Sequence, residues 1–274
     1  MPGIRLDGCG TVVTGAGGGI GAALARRLAA EGARVVVNDV DGDAAESVAE
    51  EVGGIAVAGD AADEAVVDRL VTTAERHFGA VDLFCANAGV APMGGPEQDD
   101  AVWETAWRVN VLAHVRAARR LLPAWLERGR GHLLATVSAA GLLTMLGSAP
   151  YSATKHASLG FAEWLSATYG SRGVTVQALC PQGVATDMLA ATGRVGRVVL
   201  EPGALTPEQV AEAAVAGLAD GRFLILPHPE VADYYLARAG DTDRWLAGMR
   251  RLQNRILHPA EAPQHRSQET RTVS

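Results

Sequence analysis

The sequence predicts a single α/β domain built on a parallel sheet, and three observations carry that prediction. Short β-branched runs recur along the chain, longer stretches with helical spacing separate them, and a glycine-rich string joins the first run to the first helical stretch. The early runs are Thr11–Thr14, Arg34–Asn38, Ile55–Ala58 and Val81–Cys85; the later ones are His132–Val137, Val174–Leu179 and Phe223–Leu226. Such alternation implies right-handed crossovers between about seven parallel strands, with helices on both faces. No linker-like segment interrupts the order, so residues 1–257 are expected to form one domain.

Each helical stretch has its own justification. Ile20, Leu24 and Leu28 form the core stripe of the first, which Gly32 stops. Asp41 or Asp43 caps the second, and Asp63 caps the third ahead of Val66, Val67, Leu70 and Val71. A long stretch from Asp99 to Arg128 is expected to be interrupted at Pro123, and another helix runs from Tyr151 to Tyr169. Residues 186–207 mix Gly, Thr, Pro and Arg with short apolar pieces, the composition of a flap over a site. Residues 230–257, with Tyr234, Trp245 and Met249, read as an amphipathic helical extension that either caps the pocket or packs on another subunit. A polar tail over 258–274 follows.

Composition narrows the function classes. The 274 residues carry a net charge of −7, and the arginines are scattered, which argues against nucleic acid as a partner. Cys9, Cys85 and Cys180 lie far apart in apolar runs, so neither a disulfide framework nor a metal site is expected. No apolar run approaches the length of a membrane span, and a cytoplasmic protein is the expectation. Lys155 is the only lysine in a chain that otherwise uses arginine. Lysine is a compact ammonium with a tunable pKa, which guanidinium cannot replace.

The string Thr14, Gly15, Ala16, Gly17, Gly18, Gly19, Ile20, Gly21 follows the first strand and opens the first helix. Glycines there let backbone N–H groups approach a pyrophosphate at the positive helix end, as in a Rossmann-type, doubly wound domain. Asp39 ends the second strand about twenty residues on, where a carboxylate accepts both ribose hydroxyls and repels a 2′-phosphate. No basic residue stands beside it to receive that phosphate, so the expected cofactor is NAD.

Tyr151 and Lys155 stand at i and i+4, on one helix face. Free tyrosine is a poor base at neutral pH, and an adjacent ammonium is expected to favour its phenolate. Ser138, at a strand end, is placed to hydrogen-bond a substrate oxygen; Asn110, in the preceding helical stretch, is placed to hold a water against Lys155.

Together, Thr14-Gly-x-x-x-Gly-Ile-Gly21, Asp60, Asn87-Ala-Gly89, Asn110, Ser138, Tyr151-x-x-x-Lys155 and Pro181…Val184-x-Thr186 resemble the short-chain dehydrogenase/reductase family over roughly residues 5–230. The resemblance implies a catalytic tetrad of Asn110, Ser138, Tyr151 and Lys155, with Lys155 also on the nicotinamide ribose. It further implies that Asp60 and Ala61 meet the adenine, that Asn87, Ala88 and Gly89 run along the cofactor, that Val184 and Thr186 hold the carboxamide, and that Pro181 also binds the cofactor. Two departures stand out: Ala86 replaces a frequent Asn, and Gln182 intervenes between Pro181 and Gly183. Gln182 either reads the substrate or is an ordinary loop residue.

The expected reaction interconverts a hydrophobic secondary alcohol and its ketone. Leu142, Leu143, Met145, Leu146, Val90, Pro92, Met93, Met188 and Leu189 make an apolar candidate pocket, shared with Ser138, Tyr151 and Gln182. His114 and His156 read as helix-surface residues. Two rivals are a sugar-nucleotide epimerase or dehydratase, which usually carries a longer C-terminal domain, and a non-catalytic NAD-binding regulator, which has no need of Ser138 or Tyr151. The resemblance also implies a homo-oligomer, dimer or tetramer. The physiological substrate and the stereochemistry are not legible.

Overall fold

A computed structural model describes residues 3–258, so the tail over 259–274 lies outside the described residues. Seven strands form one sheet: β1 (Gly10–Thr14), β2 (Arg34–Asp39), β3 (Ile55–Ala58), β4 (Leu83–Ala86), β5 (Gly131–Thr136), β6 (Val174–Leu179) and β7 (Leu224–Ile225). Their order is β3-β2-β1-β4-β5-β6-β7, and every pairing is parallel. The chain winds outward from β1 to β3, then returns to lay β4 beside β1. That reversal opens a crevice at the carboxyl ends of β1 and β4, where doubly wound sheets bind ligands.

Strand residues alternate between two cores. Val12, Val36, Phe84, Leu133 and Val176 face helices α3 (Glu64–Phe78), α5 (Ala113–Arg128) and α6 (Ala149–Tyr169). Val13, Val37, Cys85, Leu134 and Leu179 face α1 (Gly19–Ala30), α2 (Gly42–Val52) and α9 (Pro207–Asp220). The expected caps form: Asp41 accepts from Ala44 N–H, and Asp63 from Ala65 N–H.

Two local expectations, at Pro123 and His114, are corrected. Pro123 does not interrupt its helix: it lies on the exposed face of α5, where solvent serves the carbonyl left without a donor. The irregularity comes earlier, as a π turn over Arg108–Leu112 between α4 (Asp100–Trp107) and α5. The flap over residues 186–207 is built of short helical turns, α7 (Asp187–Ala190) and α8 (Gly193–Val195), followed by a π turn over Gly196–Leu200. Its base is tied by Ala185 N–H to the Leu205 carbonyl and Leu205 N–H to the Gly183 carbonyl. His114 is not a surface residue but is buried on α5, which makes it neutral: desolvation lowers its pKa to about 3.

The extension forms α10 (Glu230–Gly240) and α11 (Thr242–Leu257). Val231 enters the core, Arg238 donates to the Leu142 carbonyl, and Arg194 of the flap donates to the Ile256 carbonyl at 3.1 Å. These bonds hold α10 and α11 across the mouth of the crevice. No helix among the described residues is long and apolar enough to cross a membrane.

Leu121 is buried where α5 meets the sheet. Truncation there removes contacts the neighbours cannot fully replace, so Leu121→Ala is expected to lower unfolding free energy by roughly 2–5 kcal/mol. Urea denaturation followed by circular dichroism reads the change.

Candidate active site

One cavity of about 1440 Å³ runs along the carboxyl ends of the strands and beneath the extension. The glycine loop, Asp39, Asp60, Ala61, Asn87, Ala88 and Gly89 line one part; Ser138, Tyr151, Lys155, Pro181, Gln182, Val184 and Thr186 line another.

The loop after β1 has its shape because two glycines leave no room for a side chain. A Cβ on Gly15, which has φ +61°, would lie 2.8 Å from Ala88 Cα; one on Gly21 would lie 2.0 Å from the Gly15 carbonyl oxygen. Gly18 starts α1 with no side-chain cap, no acid stands in the first turn, and no atom apart from its own and its chain neighbours' lies within 4 Å of the place of its Cβ. An uncapped helix N-terminus facing open cavity is an anion site in geometry and charge. Thr14 and Gly17 lie behind the cavity wall and shape the loop. Thr14 Oγ1 accepts from Asn87 N–H at 3.0 Å and Ala88 N–H at 3.1 Å, while Gly17 N–H donates to Asp39 Oδ2 at 2.9 Å.

Asn87 stitches three strands. Its Nδ2 donates to the Thr14 and Gly15 carbonyls at 3.0 and 3.1 Å, and its Oδ1 accepts from Thr136 Oγ1 at 3.0 Å. Asp39 keeps part of its acceptor capacity, since each oxygen takes one backbone N–H, from Gly17 and Asp41. Asp60 is more heavily engaged: Oδ1 accepts from Ala62 N–H at 2.8 Å and Oδ2 pairs with Arg108 at 2.5 Å. Burial pushes its carboxyl up, but those two partners hold it below the ordinary range.

Ser138, Tyr151 and Lys155 come together at the end of β5. Ser138 has φ +120°, the only positive φ outside glycine among the described residues. The Leu179 carbonyl accepts its N–H, and the Pro181 carbonyl accepts that of Ala139, so β6 enforces the strained backbone. Its hydroxyl accepts from Ala140 N–H at 3.1 Å, donates to the Pro181 carbonyl at 3.4 Å and faces the Tyr151 hydroxyl. Lys155 is buried, with Nζ donating to the Thr136 carbonyl at 2.9 Å and standing 5.5 Å from the Tyr151 ring centre.

Burial pushes the Tyr151 hydroxyl above its ordinary value, with the Ser138 bond acting against it, and pushes Lys155 down to about 8. The expected drop in the phenol pKa is therefore opposed by desolvation of both groups, and Nζ is turned toward a carbonyl rather than the phenol oxygen.

Asn110 stands apart from the residues that line the cavity. It lies behind the cavity in the π turn, where Oδ1 accepts from Val90 N–H and Nδ2 donates to the Val90 carbonyl, each at 2.9 Å. Nδ2 also reaches Thr154 Oγ1, and the Asn110 carbonyl accepts from Ser158 Oγ at 2.6 Å. Its side chain thus fixes the segment after Gly89, while Oδ1 takes only one donor and keeps a second lone pair; a Cβ on Gly89 would lie 3.3 Å from that oxygen and 3.5 Å from Lys155 Nζ.

The apolar set is also revised. Leu142 belongs to the core, because its side chain turns inward while Leu143, Met145 and Leu146 line the cavity. Val90, Met188 and Leu189 line it too; Pro92 and Met93 do not, and the Pro92 carbonyl is taken by Ser148 Oγ. Gln182 lines the cavity, its N–H donating to His228 Nδ1 at 3.1 Å. Sequence reasoning missed Thr136 and Arg108, whose roles are long-range bonds that no local spacing marks. It also missed the polar face of α11, whose residue spacing was visible but whose position over the cavity was not.

The model of the short chain dehydrogenase family matches residues 10–194. A 1-deoxy-11-beta-hydroxypentalenate dehydrogenase of Streptomyces exfoliatus is 43% identical over 200 residues, covering 68% of this chain and 71% of that one. Its counterpart in Streptomyces avermitilis is 36% identical over 261 residues, covering 88% and 92%. Among solved structures, a short chain dehydrogenase/reductase from Burkholderia phymatum in complex with NAD superposes with a TM-score of 0.82 at 29% identity, covering 88% of this chain and 96% of that one. With its parallel seven-stranded sheet and its Tyr151–Lys155 pair beneath a glycine loop, this chain belongs to the short chain dehydrogenase family of oxidoreductases.

Proposed function

We propose that the chain is an NAD(H)-dependent oxidoreductase that interconverts a hydrophobic secondary alcohol and its ketone, with Tyr151 as acid/base. The observation that carries this reading is one continuous cavity holding the uncapped α1 terminus and Asp39 at one part and Ser138, Tyr151 and Lys155 at another. The glycine-built cradle and the free acceptor capacity of Asp39 fit a dinucleotide, and the relative from Burkholderia phymatum was solved with NAD. Gly15, Gly18, Gly19, Ile20 and Gly21 would hold its pyrophosphate and Asp39 its adenosine ribose, with Pro181, Val184 and Thr186 at the carboxamide.

When bound, the nicotinamide accepts hydride from the carbinol carbon or returns it to a ketone. Tyr151 Oη takes the hydroxyl proton in oxidation and gives it back in reduction. Ser138 Oγ, fixed by Ala140 N–H, steadies the charge on the substrate oxygen. Lys155 supplies the positive charge that favours the phenolate, and Asn110 acts as a positioning residue for the Val90 segment. Leu143, Met145, Leu146, Met188 and Leu189 exclude water and favour an apolar substrate. Two relatives are named as dehydrogenases of 1-deoxy-11-beta-hydroxypentalenate, which accords with an alcohol substrate. A homo-oligomer, dimer or tetramer, is part of this reading; Trp107 on α4 and Trp164 on α6 stand exposed as candidate contacts.

Oxidation of apolar secondary alcohols, followed by NADH absorbance, tests the reading. Tyr151→Phe is expected to lower kcat by about 10²–10⁴-fold while NADH binding, read by fluorescence, persists. Because burial raises Tyr151 while Lys155 keeps its charge below about 8, kcat/KM for oxidation is expected to rise between about pH 6 and about pH 8. A near-normal rate in the variant, or oxidation that weakens over that range, contradicts the role. Asp39→Ala is expected to raise KM for NAD and shift preference toward NADP; an unchanged ratio of the two kcat/KM values removes Asp39 from cofactor selection.

A further inference from the structure

The apolar lining explains where a hydrocarbon skeleton sits, but α11 brings a different chemistry to the same cavity. Arg244, Arg251 and Arg255 all line it, at i, i+7 and i+11 of one helix, a spacing that puts them on one face. Gly248 lines the cavity between them, and Arg251 Nη2 lies 3.7 Å from the place its Cβ would take, so the guanidinium lies along the bare helix surface. Trp245, Met249 and Leu252 give this face an apolar floor.

None of the three guanidinium groups is ion-paired among the described residues, although eleven such pairs occur elsewhere. Most acids lining the cavity are engaged away from them: Asp39 by Gly17 and Asp41, Asp60 by Arg108, and Asp241 by the backbone N–H of Arg244 as it caps α11. Asp187, in the flap, makes no ion pair. Asp39 and the glycine loop already account for the cofactor's polar groups, so the arginines have no evident duty toward it.

We propose that Arg244, Arg251 and Arg255 form an anion subsite, and that the substrate is a hydrophobic alcohol bearing a carboxylate remote from its carbinol carbon. This rests on the alcohol/ketone reading of the site. Guanidinium is suited to the task, since its planar donors engage a carboxylate in two parallel hydrogen bonds and its weak hydration tolerates an apolar floor. The extension is thereby a specificity element: the strand ends supply the chemistry, and α11 reads the far end of the molecule.

The test compares hydroxy acids with their methyl esters, which keep the skeleton and lose the charge. Lithocholate and 4-hydroxycyclohexanecarboxylate, each beside its ester, span two lengths. The expected result is a kcat/KM about tenfold or more higher for the acid of at least one pair, expressed mainly in KM and shrinking with added salt. Replacing all three residues (Arg244→Gln, Arg251→Gln and Arg255→Gln together) brings that ratio to about one, whereas Arg250→Gln, outside the cavity lining on the same helix, keeps it. The ratio is internal to each preparation and so is insensitive to a partly folded variant. Equal kcat/KM for acid and ester in the unmodified enzyme, or an acid preference that survives the triple substitution, overturns the subsite. If no pair turns over, calorimetric titration of the NADH-loaded enzyme with the same compounds decides separately. Acid-selective binding lost in the triple variant supports the subsite and counts against the alcohol reaction; binding without acid preference, or no binding, overturns the subsite.

Discussion

The buried ammonium of Lys155 is the constraint around which the site is arranged. A charge in a protein interior is costly unless it has partners, and here the Thr136 carbonyl at the end of β5 is its hydrogen-bond partner. That bond fixes α6 against the sheet and with it Tyr151, one helical turn away. Thr136 also donates to Asn87, and Asn87 in turn holds the carbonyls of Thr14 and Gly15. Lys155, one turn from Tyr151, and the glycine loop are therefore connected by one chain of hydrogen bonds through three strands. The same burial sets the electrostatics: it weakens the lysine's hold on its proton and strengthens the tyrosine's.

Much of this architecture could be read from the chain itself. Parallel strands leave short apolar runs, and helices between them leave a 3.6-residue period, so Ile55–Ala58 at the part-exposed sheet edge and Val174–Leu179 in its interior agree with the structure residue for residue. The glycine loop and the Tyr151–Lys155 pair were legible because their chemistry is local and depends on close spacing. Asn110 shows the limit. Its residue type and place in the chain were visible, but its occupation by Val90, Thr154 and Ser158 depends on packing between segments distant in sequence. Leu142 fails for a related reason: it falls in a short turn that no period governs, and it packs in the core while Leu143 reaches the cavity. Pro123 misleads because solvent on one helix face rescues what a buried position would not tolerate.

The extension changes how the cavity is understood. Its sequence reads as an amphipathic helix, which fits a cap and a subunit contact equally well. In the structure it closes the crevice from above, held by Arg238 on the Leu142 carbonyl and by Arg194 on the end of α11. The strand ends then form a floor of fixed chemistry, whereas the flap and α11 form a roof that any relative can vary without disturbing the sheet. Division of labour between floor and roof accounts for a legible reaction beside a less legible substrate.

The central claim is that Tyr151 delivers the proton while hydride crosses this cavity. The most direct measurement follows label rather than rate. NADH deuterated at both C4 positions is incubated with the enzyme and an apolar cyclic ketone such as 2-decalone, and the product alcohol is examined by mass spectrometry and NMR. The account predicts one deuterium on the carbinol carbon, with Tyr151→Phe accumulating that product far more slowly at the same cofactor occupancy. Carbinol carbon free of deuterium, or labelled product formed equally fast by both proteins, contradicts it.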